Sequence, residues 1–176
     1  MTPRLRGSLE TLTDDESRAL RPIGMSVREA AARTGRLLGP LAEAPGVDLF
    51  AGVRVTKRVP RIGFAVSTAS SLLLVESVAW PAGTYTVTPR GSVLCDGTYI
   101  GQSVRPLWCS VRLLRRQVRG RRVGAIVVVH ASGEGRPALP ANCPAGPVWL
   151  PPDEVRAHIA GRLFPRRLVR AGSRPA

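Results

Sequence analysis

Ile62-Gly-Phe-Ala-Val-Ser-Thr-Ala-Ser-Ser-Leu-Leu-Leu-Val-Glu-Ser-Val-Ala-Trp80 is the stretch on which the reading of this chain turns. Two apolar segments flank a turn of small residues, Thr68 to Ser71. The second segment, Leu72 to Val75, is a continuous apolar run of the kind that becomes a strand buried on both faces. Glu76 follows it directly. A carboxylate at the edge of a core is costly unless it is paired or holds a cation, so Glu76 is the candidate catalytic group. The plain structural alternative is a strand-end carboxylate paired with an arginine.

The neighbouring segments extend this reading in both directions. Val47, Leu49, Val53 and Val55 open a strand behind Gly46, a second strand crosses Val59 to Val66, and the third ends in Glu76, which together predict a meander. Upstream, Ser26 and Glu29 have capping-box spacing, and Val27, Ala30, Ala31, Leu37, Leu38 and Leu41 give the first helix its apolar face. Gly39-Pro40 is expected to break or kink that helix. Downstream, Pro81-Ala-Gly83 and Pro89-Arg-Gly91 bound a hairpin, Tyr85 to Val87 with Ser92 to Cys95, that would extend the sheet. Asp96-Gly97 marks a further tight turn.

From Val104 the period changes. Leu107, Val111, Leu114 and Val118 recur at spacings of three and four, with Arg112, Arg115, Arg116 and Arg119 on the remaining surface, which predicts an amphipathic helix ended by Gly120. Val123 to Val129 is too β-branched and apolar for an edge and belongs in the middle of the sheet. Residues 133–147 read as an irregular loop, Val148 to Leu150 as a brief strand, and Pro152-Asp-Glu154 as the start of a helix reaching about Leu163.

The 62–80 segment resembles, without a gap, the central part of the nuclease-related domain (NERD) family. This is a branch of the restriction-endonuclease-like nucleases with the motif Asp, spacer, Asp or Glu, any residue, Lys. Glu76 falls on the second acidic position, and the turn at Thr68 to Ser71 and the closing Trp80 also match. Gly63 stands at the first Asp, Val78 at the Lys, and Arg36 near the place of a helical acid. The likeness covers about residues 26 to 165. It implies an α/β fold with an α-β-β-β-α-β core and a central mixed sheet flanked by helices. The order read from periodicity, helix, three strands, hairpin, helix, strand, is the same.

In an intact site of this kind two carboxylates hold Mg²⁺, the metal acidifies a water, and the Lys orients that water and offsets the developing charge. With the Asp and Lys positions changed, the resemblance implies a catalytically degenerate protein acting as a nucleic-acid-binding or regulatory module. No metal or other cofactor is expected on that reading. A divalent-metal DNase using Glu76, with Lys57 and Asp48 or Asp96 substituting for the missing groups, is one alternative. A protein-interaction module with an acidic partner is another.

Charge supports an anionic partner. The formal net charge is +14, and residues 105–176 carry fourteen basic side chains against three acidic ones. Arg112, Arg115, Arg116, Arg119, Arg121, Arg122, Arg166 and Arg167 are the candidate nucleic-acid-binding residues. The three tryptophans sit in apolar surroundings and do not suggest base stacking. Cys95, Cys109 and Cys143 form no metal-ligand or disulfide pattern and are expected to be free and buried. His130 and His158 are expected to be structural.

At 176 residues the chain suits a single domain, which at this size buries about 70% of its unfolded surface. No apolar run approaches the ~18 residues of a membrane span, and the first residues lack the apolar centre of a signal peptide, so no membrane partner and a cytoplasmic location are expected. Residues 1–25 read as a flexible arm contributing little to the fold, 26–165 as the domain, and 166–176 as a basic tail.

Overall fold

The computed structural model describes residues 5–14 and 18–164. The apolar run that leads to Glu76 becomes part of a ten-residue strand, β4 (Ser71–Trp80), preceded by β2 (Asp48–Val53) and β3 (Ile62–Ser67). These three form the expected antiparallel meander. β8 (Arg122–Ala131) lies parallel to β4 from Ser71 opposite Arg122 to Trp80 opposite Ala131. A parallel neighbour requires a crossover, which α2 (Arg105–Gln117) supplies. β10 (Val148–Leu150) adds to the other side of β8, and a short β1 (Leu5–Gly7) adds to β2. The result is a six-stranded mixed sheet, in the order β1-β2-β3-β4-β8-β10. β4 and β8 occupy its interior, where their apolar runs Leu72 to Val75 and Val123 to Val129 are covered on both faces.

Strand alternation gives the sheet two covered faces. α1 (Val27–Ala42) and α3 (Pro152–Leu163) cover one: Val27, Ala31 and Leu38 pack with Val155 and Ile159 over Phe64, Val66, Leu73, Val75, Ile126 and Val128. α2 covers the other, with Leu107 and Val111 over Leu74, Val78, Ala125 and Val127. On that side Trp80 stacks on Tyr85 at 4.3 Å and meets Trp149 at 5.5 Å. Among the described residues three α-helices and a central mixed sheet make this an α/β protein.

Several expectations need correction. The hairpin formed by β5 (Gly83–Val87) and β6 (Ser92–Cys95) does not extend the central sheet; it joins β7 (Thr98–Ser103) and β9 (Pro137–Ala138) in a separate four-stranded sheet ordered β7-β6-β5-β9. Tyr85 and Val93 bury against the α2-side core, so the hairpin packs on the main sheet through side chains rather than through its edge. α1 runs through Gly39-Pro40 without a break. Only Leu41 and Ala42 follow Pro40 in the helix, so the proline removes one bond from a final turn that frays in any case. Cys95 is half-buried, while Cys109 and Cys143 are exposed.

The largest correction concerns the segment read as a flexible arm. Leu12 is fully buried in the core beneath α1 and α3, and Leu20 is buried in the α2-side core. The backbone N–H of Ile23 donates to Ala79 O at 2.7 Å and that of Ser103 to Ala19 O at 2.7 Å. Arg28 reaches back from α1 to the carbonyls of Leu12 and Glu10. Gly52, at φ +62°, is what lets the segment close on β2: a Cβ there would collide with Ser8 O and Thr11 Oγ1. Residues 5–14 and 18–25 are therefore part of the packed domain. No described helix is long and apolar enough to cross a membrane.

This placement predicts that Leu12→Ala lowers unfolding stability by about 2–5 kcal/mol in urea denaturation, the cost of a buried leucine cavity. Leu5→Ala, at an exposed position in the same segment, should change it by no more than about 0.5 kcal/mol.

Candidate functional site

Glu76 sits in the middle of β4, not at its end, with its side chain on the α2 face between Leu74 and Val78. It is 7% exposed. Opposite it on β3 is Gly63, where an added Cβ would stand 3.6 Å from Glu76 Oε1 and 3.3 Å from Val75 O. Glycine thus leaves the carboxylate room beside the β3 backbone. The N–H of Ser77 donates to Glu76 Oε1 at 3.1 Å, and the N–H of Gly63 also serves the carboxylate.

The cation beside it is Arg18. Nη2 of Arg18 donates to both carboxylate oxygens at 3.3 Å, and Nη1 donates to Arg61 O at 2.9 Å. Both partners are nearly sequestered, their side chains 4% and 9% exposed. Burial pushes the Glu76 pKa above the usual carboxylate value, while Arg18 and the N–H groups of Ser77 and Gly63 pull it back. A buried ion pair gains strength in a low dielectric and loses hydration, so its net contribution is small; removing one member is costly because the other charge is left alone.

Beside the pair a cavity of about 30 Å³ is bounded by Pro106, Leu107 and Ser110 at the start of α2. It has room for water but not for a substrate. The groups named as substitutes do not converge here. Asp48 is the first residue of β2, paired with Ser67 at the far end of β3. Asp96 is exposed, and its Oδ1 accepts from Thr84 N in the second sheet. Lys57 is exposed in the loop between β2 and β3, in a pocket that Arg18 separates from Glu76. Val78, at the motif's Lys position, is fully buried. Among the described residues no three His, Cys, Asp or Glu side chains come together. The divalent metal that the resemblance implies would find one carboxylate, already bound by a guanidinium, so this donor set does not fit it.

On the α1 face a separate polar chain crosses the core. Ser77 Oγ donates to Thr34 Oγ1 at 2.8 Å, and Thr34 Oγ1 lies 2.8 Å from His130 Nε2. With its oxygen already accepting, Thr34 can donate its own hydrogen to an unprotonated Nε2. Burial, reinforced by the nearby charges of Arg33 and Arg36, lowers the His130 pKa to about 4. All three members are buried, which makes the chain structural.

The candidate nucleic-acid-binding arginines are better placed for a partner. Arg112, Arg115, Arg116, Arg119, Arg121 and Arg122 are all exposed. Arg112 and Arg116, four residues apart, lie on the side of α2 opposite Leu107 and Val111, and Arg119 follows in the turn after the helix. Arg115 is more committed: its Nε and Nη2 both donate to Val123 O at 3.1 Å, tying α2 to the start of β8. Arg121 donates to Ser67 Oγ at 3.2 Å, and Arg122 Nη2 lies 3.4 Å from Arg162 O in α3. Arg121, Arg122 and Arg162 therefore gather at one end of the central sheet, where Asp48 is the nearby acid on β2. Arg166 and Arg167 lie outside the described residues.

Sequence reasoning missed Arg18. Nothing in local periodicity links it to a carboxylate 58 residues away, and its segment lacks a regular apolar repeat. The available signal was the other half of the pair: a buried acid demands a cation from elsewhere. No family model, no curated protein and no solved structure matches the chain.

At neutral pH, Arg18→Met should cost about 3–5 kcal/mol in denaturant unfolding, and adding Glu76→Met to it should recover most of that loss. His130 predicts a second effect. Unfolded, its imidazole takes up a proton near its ordinary value of 6.5, whereas the folded protein resists until about 4, so this contribution is complete above 6.5 and is lost as pH falls towards 4. Stability measured from pH 7 to pH 4 should therefore fall less steeply in a folded His130→Gln variant than in the natural chain.

Proposed function

We propose that this protein is a non-catalytic nucleic-acid-binding module on a nuclease-like scaffold, in which a buried ion pair stands where a metal centre would be. The observation that carries the reading is the two-point contact of Arg18 with Glu76. A fixed monovalent guanidinium takes the side of the carboxylate that a metal would need, and β3 offers glycine where a second ligand would be required. The order α1, β2, β3, β4, α2, β8, with β5 to β7 of the second sheet inserted between β4 and α2, supports the scaffold half of the reading, because it keeps the α-β-β-β-α-β order of the restriction-endonuclease-like core that the sequence resembles.

The binding half rests on charge and exposure. Arg112 and Arg116 line an open side of α2, and Arg119 in the turn after it, with Arg121 and Arg122, continues the positive surface around the end of the sheet. Guanidinium groups bind phosphodiester oxygens through paired N–H donors, and neutralising phosphates releases condensed counterions. No tryptophan is exposed, so the surface suits backbone contact rather than base stacking.

Fluorescence anisotropy with a labelled duplex should show affinity falling steeply with salt, at a logarithmic slope of about 0.9 per phosphate neutralised. Arg112→Glu with Arg116→Glu should weaken binding at least ~10-fold and reduce that slope by about 2. Salt-independent binding, or none, would defeat the proposal. Plasmid incubated with Mg²⁺ or Mn²⁺ should stay intact; cleavage that a folded Glu76→Gln variant abolishes would return the protein to the nucleases.

A further inference from the structure

The loop from β2 to β3, residues 54–61, lies at the opposite end of the sheet from Arg121 and Arg122. The length of β3 separates the two, about 17 Å at the rise of an extended strand. Against this loop is a pocket of about 280 Å³ lined by five cations, Arg18, Arg54, Lys57, Arg58 and Arg61. Thr11 and Thr13 add two hydroxyls, and no carboxylate among the described residues lines it. Arg18 is neutralised by Glu76, but Arg54, Lys57, Arg58 and Arg61 form no ion pair with any described residue. Crowding four such charges around one concavity is unfavourable in an empty pocket, and a multiply charged anion relieves it.

The framework is held before any ligand arrives. Arg61 Nη1 donates to Gly52 O at 2.9 Å, the Arg58 N–H donates to Thr56 Oγ1 at 3.2 Å, and Arg18 Nη1 anchors the loop at Arg61 O. A second observation points to a missing partner. Arg18 is 5% exposed and lines the pocket, yet its Nε is a buried donor with nothing to bond. Buried guanidinium N–H groups are ordinarily satisfied, and this one, on a side chain that borders both the pocket and the water-sized cavity beside Glu76, leaves a donor free for a water or an anion oxygen.

We propose that this pocket binds a compact polyphosphate anion of di- or triphosphate size, through Arg54, Arg58, Lys57 and Arg61 with the threonine hydroxyls. The planar forks of the arginines match phosphate oxygens in pairs, and Lys57 adds a point charge. Size and concavity select the ligand. A duplex backbone tracks an open charged surface such as α2, whereas about 280 Å³ encloses a short phosphate chain. The site is separate from the α2 arginines, and the inference does not depend on duplex binding.

Isothermal titration calorimetry on the full chain at low salt tests it, with sodium tripolyphosphate, pyrophosphate, inorganic phosphate, ATP and adenosine as probes. Tripolyphosphate and ATP should bind saturably at one site, inorganic phosphate at least ~10-fold more weakly, and adenosine not at all. Equal affinities for tripolyphosphate and ATP assign the site to the phosphate chain alone; tighter ATP binding assigns it to a nucleotide. Arg54→Ala and Arg58→Ala, both exposed and without side-chain hydrogen bonds to any described residue, should each lower tripolyphosphate affinity about 10-fold while leaving the melting temperature unchanged. Arg112→Glu with Arg116→Glu should leave it within about twofold. The inference is overturned if tripolyphosphate fails to saturate one site, if the loop variants bind as the natural chain does, or if the α2 variants lose as much affinity as the loop variants.

Discussion

A carboxylate in the middle of an interior strand is the constraint around which this molecule is arranged. Glu76 cannot keep its charge there without a cation, and none of its strand neighbours can supply one because they are apolar or face the other helix layer. Arg18 comes from outside the meander to meet it, and this brings the N-terminal segment into the domain. Leu12 and Leu20 then bury in opposite cores, and Gly52 accepts the close approach of the segment that precedes them. The ion pair, the two buried leucines and the backbone contacts at Ala19 and Ile23 together hold residues 5–14 and 18–25 against the domain.

The same pair separates two parts of the surface. On one side of Arg18 is the small cavity below α2, water-sized at about 30 Å³; on the other is the pocket of the 54–61 loop, about 280 Å³. Arg18 holds the wall between them by bonding to Glu76 and to the carbonyl of Arg61 at once. The positive charge of the chain therefore has more than one character. At the α2 and β8 end it is spread along an exposed helix side and strand start, the form suited to a long polyanion. At the loop it is gathered into a concavity, the form suited to a short one.

Much of the architecture was legible along the chain. Alternating apolar residues located β2, the apolar stretches Val59 to Val66 and Val123 to Val129 located β3 and β8, the three-and-four spacing of Leu107, Val111, Leu114 and Val118 located α2, and Pro152 with its acidic neighbours marked the start of α3. Each of these signals is local, because an element that buries one face must repeat its apolar residues at its own period. What failed was also consistent. The hairpin was recognised but assigned to the wrong sheet, since turn residues specify a hairpin and not the edge it joins. β4 was cut short at Glu76 because a charged residue in a buried strand looks like an ending unless its counter-charge is known.

The sequence by itself determined the elements, the apolar faces and the acid that had to be explained, for these follow from residue type and short-range spacing. Only the tertiary structure decided that Arg18 answers Glu76, that Arg115 braces β8 while Arg112 and Arg116 remain available, and that Arg54, Lys57, Arg58 and Arg61 enclose a common space. The physical reason is range. Periodicity is imposed by the geometry of one element, whereas ion pairing and charge clustering depend on which distant segments the folded core brings within a few ångströms.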